Sequence, residues 1–554
     1  MTRSLVLFIL FFGVTVYALY LFGKVVYARY LYIRLGKSVN MKKEIRARLK
    51  LFAIQVFGQT KLLKDKKSGI MHIIIFYGFL ILQLGALDLI ITGLIGHRLS
   101  IPGYAYFTWL QEVTILLIVM AMVYATYRRY IEKLKRLKRG WKPSIVLFFI
   151  FFLMLSVVVS GGFERLREGG GWSALAPLTS SFAVAFNDIS PASAAVGFYT
   201  SWWVHLLILL SFLVCVPQSK HFHIITAPIN ILLRRTGPTG KLTSLDLEDE
   251  EAESFGVGKI EDFTQKQMLD FYSCVECGRC TSMCPAHVTG KMLSPMHLIT
   301  KLRDHLTEKG SVITSKSPWV PAFAFANRSG QHAFEVELIG DVITEEELWA
   351  CTTCRNCEDQ CPVGNEHVDK IIDLRRHLVL TQGSMPHDGQ RALQNIERQG
   401  NPWGINRNER AKWVKEIDPE DRLHIQTVKE NPAFEYLFFV GSMGSYDNRS
   451  RKITHAFVKL MNEAGISFAI LGNEEKNSGD TPRRMGNEFL FQQLCNDNIA
   501  TFQKYKVKKI VTVCPHTYHT FKNEYPELWF RSRRVSPHRI VGYMGEGRKI
   551  KSPT

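Results

Sequence analysis

The sequence predicts three blocks in series: a membrane bundle of five helices, a helical domain built around two cysteine runs, and a small α/β domain. Three observations carry this prediction. The first 230 of 554 residues hold five apolar stretches, each near the roughly 20 residues a helix needs to cross hydrocarbon. Eight of the eleven cysteines fall in two copies of one spacing. From Glu435 onward, strand, glycine turn and helix alternate, the pattern of a parallel α/β unit.

The five spans are about residues 4–23, 70–95, 105–127, 144–162 and 198–217. The stretch 173–197 is too polar for a sixth, with Asn187, Asp188 and Pro191. No A-x-A-like cleavage site follows the first stretch, and a strongly basic loop does, so it reads as an uncleaved span. Lys and Arg concentrate in cytoplasmic loops. Residues 24–68 carry thirteen of them, Lys42, Lys43, Arg46 and Arg48 included, against Glu44 and Asp65, and residues 128–142 carry eight against Glu132. The other loops have only Arg98 in one, and Arg165 and Arg167 in the other. The N-terminus is therefore expected outside a bacterial cell membrane and the cysteine-rich half in the cytoplasm. These two loops account for nearly all of the net charge of +19, so the basic balance is a topology signal and gives no case for nucleic-acid binding.

Ionisable groups within a bilayer are costly and default to a functional assignment. His72 opens the second span, His205 lies in the outer half of the fifth, and His221 and His223 follow its cytoplasmic end. On one continuous helix, His205 and His223 face the same way about 27 Å apart, with His221 turned about 160° from His205. His72 and His223 then share one depth on two helices, as a bis-histidine haem b requires. A second haem would pair His205 with a group near the outer end of span two, but Leu82 stands ten residues after His72 and His97 lies too far along. The competing assignments are an interhelical hydrogen bond for His72 and snorkelling beside Lys220 for His221 and His223.

Each cysteine run is C-x2-C-x2-C-x3-C-P: Cys274, Cys277, Cys280 and Cys284 before Pro285, then Cys351, Cys354, Cys357 and Cys361 before Pro362. Three closely spaced thiolates wrap one corner of a [4Fe-4S] cubane, and the fourth reaches the neighbouring cluster. Cys274, Cys277, Cys280 and Cys361 are thus assigned to one cluster, and Cys351, Cys354, Cys357 and Cys284 to the other. Disulfides and structural zinc are the alternatives. Zinc sites pair C-x2-C units, and cytosolic thiols stay reduced.

The expected domains are 1–230 in the membrane, a linker over 231–262, a two-cluster domain over 263–425, an α/β half domain over 426–528 and a basic tail over 529–554. The linker has Gly237, Pro238 and Gly240, then an acidic run from Asp246 to Glu253 that includes Glu248 and Glu251. Leu298, Ile299 and Leu302, and later Val368, Ile371 and Ile372, recur at helical spacing. The α/β part reads as strand EYLFF, a helix over 449–464, strand SFAIL, a helix over 484–505 and strand KKIVTVC. The turn at Gly441 and Gly444 lacks G-x-G-x-x-G spacing, so nicotinamide binding is not expected. The tail, with Arg531, Arg533, Arg534 and Arg548, has no periodic pattern.

On SKHFHIITAP, CVECGRCTSMCP, CTTCRNCEDQCP, RNERAKWVK and LGNEEKNSGDTPRRMGNEFLFQ, the chain resembles membrane-bound iron-sulfur oxidoreductases related to heterodisulfide reductase. It is most similar to the type acting as electron-transfer-flavoprotein:menaquinone oxidoreductase in fatty-acid β-oxidation. Its spans resemble the haem-b (gamma) subunit of respiratory nitrate reductase, which supports His72 and His223 as axial ligands and, through Leu82, weakens a second haem. The resemblance implies electron flow from a reduced flavoprotein through two [4Fe-4S] clusters and haem b to menaquinone, with no catalytic acid or base to assign. The alternatives are a heterodisulfide-reductase-like or hydroxy-acid-linked oxidoreductase, and a non-catalytic electron-conducting membrane subunit. Two departures stand out. Ser442 and Thr517 occupy positions where the family's first cysteine-rich repeat has cysteines, and Lys476 and Asn477 stand near its paired cysteines, leaving Cys495 and Cys514 as expected buried thiols. After NEYPE the family continues into a second repeat, so the tail reads as a truncation or frameshift, the rival being a short variant with a membrane-surface tail.

Overall fold

The computed structural model describes residues 5–39, 44–95, 102–250, 254–320, 334–417, 423–532 and 541–542. Lys42, Lys43, His97, Arg98, Glu251, Glu253, Arg533, Arg534 and Arg548 lie outside the described residues. The chain divides into two compact units, one of Met1–Arg235, Phe263–Ala350 and Asn356–His367, the other of Thr236–Asp262, Cys351–Arg355 and Val368–Thr554.

The first unit begins with α1 (Leu5–Arg34), α2 (Ile45–Phe52), α3 (Lys66–Ile95), α4 (Tyr104–Thr126), α5 (Trp141–Arg167), α6 (Pro177–Ala185) and α7 (Pro191–Cys215). Helices α1, α3, α4, α5 and α7 are long and apolar enough to cross a membrane. Their apolar residues run all round, as expected where lipid replaces water and each backbone polar group is satisfied within its own helix. The polar stretch before α7 is no sixth span. It forms short α6, whose first turn stands on Glu112 of α4, a carboxylate that accepts Leu178 N–H (2.6 Å), Thr179 N–H (3.3 Å) and the Thr179 hydroxyl (2.6 Å). These are the donors a helix start leaves unpaired, met here by negative charge.

Helix α1 outlasts its apolar stretch by three turns because partners receive its end. The Arg29 guanidinium lies 5.0 Å from the Tyr272 ring centre and 5.5 Å from that of Phe222. Lys37 exchanges backbone hydrogen bonds with Phe263 and Gln265, both 2.9 Å.

The continuous helix expected from His205 to His223 is not formed. α7 stops at Cys215, two 3-10 turns follow at Val216–Gln218 and Lys220–Phe222, and α8 (His223–Leu232) starts afresh. Pro217 has no N–H to continue the ladder, and the Ser219 hydroxyl accepts from His221 N–H. The facing angles drawn from a single helix, with His221 pointing away, are therefore replaced by a bent segment.

The cluster part follows as α9 (Gln265–Ser273), α10 (Arg279–Ser282), α11 (Pro285–Val288) and α12 (Pro295–Thr314). Thr264 and Gln267 form a reciprocal capping box on α9. Helix α8 is fastened to this part: the Thr226 hydroxyl donates to Tyr272 O (3.1 Å) and the Asn230 amide to Val363 O (3.1 Å).

The second unit holds a parallel four-stranded sheet in the order β2-β1-β3-β4, with β1 (Tyr436–Phe438), β2 (Phe468–Ala469), β3 (Ile510–Val511) and β4 (Val541–Gly542). Leu437 and Phe439 pack with Phe491, Phe502 and Phe521, while Phe438 and Val440 pack with Trp413, Phe457 and Val458. Burial on both faces explains why LFFV has no polar alternation. The helix expected over 484–505 is two, Asp480–Met485 and Glu488–Lys504, parted at Gly486 (φ 89°), where a Cβ would lie 2.7 Å from the Arg375 carbonyl carbon. The tail is not wholly patternless: a helix runs Tyr525–Ser532 and β4 pairs with β3. Part of the expected linker is packed, with Arg376 donating to Thr243 O (2.7 Å) and Arg483 to Leu242 O (3.3 Å).

Candidate redox site

In the first cysteine loop, Cys274 ends α9, Cys280 lies inside α10 and Cys284 caps α11. Left-handed backbone at Glu276 (φ 53°) and Gly278 (φ 70°) folds the loop. A Cβ on Gly278 would lie 2.5 Å from Arg136 O, so only glycine fits. The second run repeats this trace at the corresponding residues, Thr353 (φ 55°) and Arg355 (φ 62°). Two non-glycine residues in that region signal a backbone shaped for a ligand, since the conformation is costly.

Cys274, Cys280 and Cys361 are buried and Cys277 half-buried, all in the first unit. Burial pushes the Cys274 thiol up to about 12, with Cys361 and Cys277 adding to it. Cys361 rises to about 11 by burial and then by Cys277, and Cys280 rises by burial and then by Cys361, Cys274, Cys277 and Cys357. These thiols, with Cys357 of the second run, lie near one another. Such thiols ionise when bound iron supplies the compensating charge, which fits a cluster. Among the described residues no cysteine forms a disulfide. Among the described residues, no three His, Cys, Asp or Glu side chains converge on a single ion. A cubane carries its four irons on alternate corners, each taking one thiolate, so its cradle is wider than a single tetrahedral ion needs. In the second run Cys357 and Cys361 belong to the first unit, with Cys284, while Cys351 and Cys354 belong to the other.

Basic residues of the loops between the apolar helices lie against the first cysteine loop. Arg279 donates to Lys61 O (3.1 Å) and Leu62 O (3.0 Å), and Lys61 Nζ donates to Glu358 O (3.0 Å). Glu276 is clamped by Arg303 (2.9 Å) and Lys138 (3.1 Å). Burial, then Arg234, lowers the Lys61 ammonium to about 8, with Cys361 opposing. Of these cations, Lys61 and Lys138 mark only topology in the sequence; their structural role is not legible there.

All four candidate histidines line one cavity of about 1790 Å³ among the helices, and Cys277 and Arg279 line it too. Nδ1–H of His223 donates to Lys220 O (2.9 Å), which leaves Nε2 free and orients the ring as metal-bound imidazoles usually are. Burial holds His223 down at about 4, the Lys220 carbonyl opposing and nearby His72 lowering it further. The neutral ring is the ligating form. Nδ1 of His72 is buried with no hydrogen-bond partner among the described residues. His205 Nδ1 has a different companion, the Ser156 hydroxyl at 2.8 Å. His221 pairs with Ser219 (3.2 Å), its ring centre 5.9 Å from that of His223.

At and near the α/β positions where the resemblance expects cysteines, the Asn477 amide faces the Ser442 hydroxyl at 3.4 Å and Thr517 is buried. Cys495 is buried in the core, whereas Cys514 is only half-buried, caps Pro515–His519 and corrects the expectation of two buried thiols.

Comparison with known proteins agrees with this arrangement. A 4Fe-4S dicluster domain matches residues 273–365 and a cysteine-rich domain matches 436–522. The chain is 57% identical to the "Probable iron-sulfur-binding oxidoreductase FadF" of Bacillus subtilis, over 98% of this chain and 80% of that protein. It is 34% identical to the "EtfAB:quinone oxidoreductase" of Syntrophomonas wolfei, over 89% of this chain and 71% of that protein. It is 26% identical to one component of the dihydromethanophenazine:CoB--CoM heterodisulfide reductase of Methanosarcina barkeri, over 48% of this chain and 61% of that protein. No solved structure matches the chain. With five spans, two ferredoxin-type runs and a cysteine-rich α/β domain in one polypeptide, the chain belongs to the iron-sulfur oxidoreductases that include FadF and the EtfAB:quinone oxidoreductase.

Proposed function

We propose that the chain passes electrons from a reduced cytoplasmic electron-transfer flavoprotein to menaquinone in the bilayer. Its cofactors would be two [4Fe-4S] clusters on the eight cysteines and one haem b between His72 and His223. The carrying observation is that one cavity is lined by both these histidines and by Cys277. The bound groups supply one-electron chemistry, and the protein's part is to place and tune them. His223 is aimed by the Lys220 carbonyl, and the Cys274–Cys280 loop is shaped by its left-handed residues. The flavoprotein and quinone are suggested by the name of the Syntrophomonas relative. The basic inner loops support a cytoplasmic cysteine domain and an outside N-terminus. The loss of cysteines at Ser442 and Thr517 argues against disulfide chemistry there.

The test is direct. Protein purified without oxygen should show a b-type haem spectrum and low-temperature EPR signals of two reduced cubanes. It should then bleach reduced electron-transfer flavoprotein while reducing a menaquinone analogue. If no donor reduces its clusters without an added partner protein, the electron-conducting membrane component is the correct reading.

A further inference from the structure

We propose that Lys61 and Lys220, both from the membrane half of the first unit, raise the reduction potential of the cluster held by Cys274, Cys277, Cys280 and Cys361, making it the centre from which electrons enter the membrane. The inference rests on the functional reading above and adds to it an order of centres and two tuning residues.

Lys61 lies in the loop between α2 and α3, its Nζ fixed by Glu358 O at 3.0 Å, three residues before Cys361, while Arg279 beside Cys280 donates to the Lys61 carbonyl at 3.1 Å. Lys220 sits in the 3-10 turn before α8 and lines the cavity that Cys277 and Glu276 also line. Its carbonyl accepts from His223 Nδ1–H, so one residue touches both the proposed haem ligand and the surroundings of the cluster. Val275, Glu276, Cys277, Arg279, Pro362 and Val363, all in or beside the assigned ligands of this first cluster, line the cavity that holds His72 and His223.

A cubane with four thiolates gains one more negative charge on reduction. A fixed cation in a partly desolvated site stabilises the reduced form more than the oxidised one, which raises the potential. Held by these cysteines, such a cluster would accept an electron from the other one, with no proton or bond change involved.

The test is a redox titration followed by EPR on the full-length chain, comparing the parent with Lys61→Gln and Lys220→Gln. Glutamine keeps a hydrogen-bond donor for Glu358 O and loses the charge. In each variant the same one of the two cubane midpoints should fall, shifting the reduced-to-oxidised ratio at fixed potential by about tenfold, or about 59 mV for one electron. Lys61→Arg should restore it, and the second midpoint should stay. Unchanged midpoints with iron content retained, or shifts in different signals for the two variants, would overturn the inference and leave the functional reading standing. Were Lys61→Gln to lose iron, Lys220→Gln and Lys61→Arg would decide the matter alone. A parent chain without cubane signals would remove the functional reading and this inference together.

Discussion

Arg279 donates to the carbonyl of Lys61 at 3.1 Å, joining the first cysteine loop to a basic loop between membrane helices. The guanidinium is 4% exposed, also reaches Leu62 O, and lies 3.9 Å from Asp65, itself paired with Arg136. The positive loops thus have structural partners of their own. Arg279→Met orphans two carbonyls at a cost of about 1–3 kcal/mol each, and the expected result is lower iron content with the haem spectrum kept. Iron assay and visible spectra on the same preparation would check it.

His223 and His72 should behave as a pair. His223→Ala and His72→Ala are each expected to abolish the b-type spectrum while leaving cubane EPR intact. His205→Ala, removing the partner of Ser156, should leave that haem in place. A spectrum surviving His223→Ala would refute the axial assignment.

Arg410 and Glu475 meet at 2.8 Å, each about 2% exposed, and Glu475 also accepts the backbone N–H groups of Val440 and Gly441 at 2.8 Å. Removing one partner of such a pair leaves an uncompensated buried charge, which costs about 3–5 kcal/mol. Arg410→Met should therefore lower the denaturation midpoint of the α/β part sharply. The double change with Glu475→Gln should cost less than the sum of the two singles, because the pair is coupled.

His516 and Asp480 lie 3.2 Å apart. Asp480 raises the His516 imidazole above its ordinary 6.5. Burial works to raise the Asp480 carboxyl, but the His516 hydrogen bond and the Arg484 charge hold it below 3.8. A raised histidine contributes stability that is complete below 6.5 and lost as pH rises through its folded value. A depressed carboxyl contributes stability present above 3.8 and lost as pH falls through its folded value. The parent's advantage over His516→Gln should therefore shrink above neutral pH, and its advantage over Asp480→Asn should shrink on acidification. Thermal unfolding across that range would show both, with small amplitudes because His516 is largely exposed.

The sequence by itself determined the features that depend on composition and short spacing. Five spans follow from unbroken apolar length, two cubane sites from two runs of four cysteines, and the parallel sheet from strands that alternate with helices. Local patterns of that kind need no knowledge of what lies beside them. Tertiary structure alone decided where neighbours override propensity. Pro217 and Ser219 break the helix that a constant turn angle carried on to His223, α1 runs past its apolar stretch because Tyr272 and Phe222 receive Arg29, and Gly486 splits a helix where the Arg375 backbone comes close. The setting of Lys61 and Arg279 was equally hidden. A cation's partner more than 200 residues away in sequence leaves no mark in its own segment, and only the folded chain brings the two together.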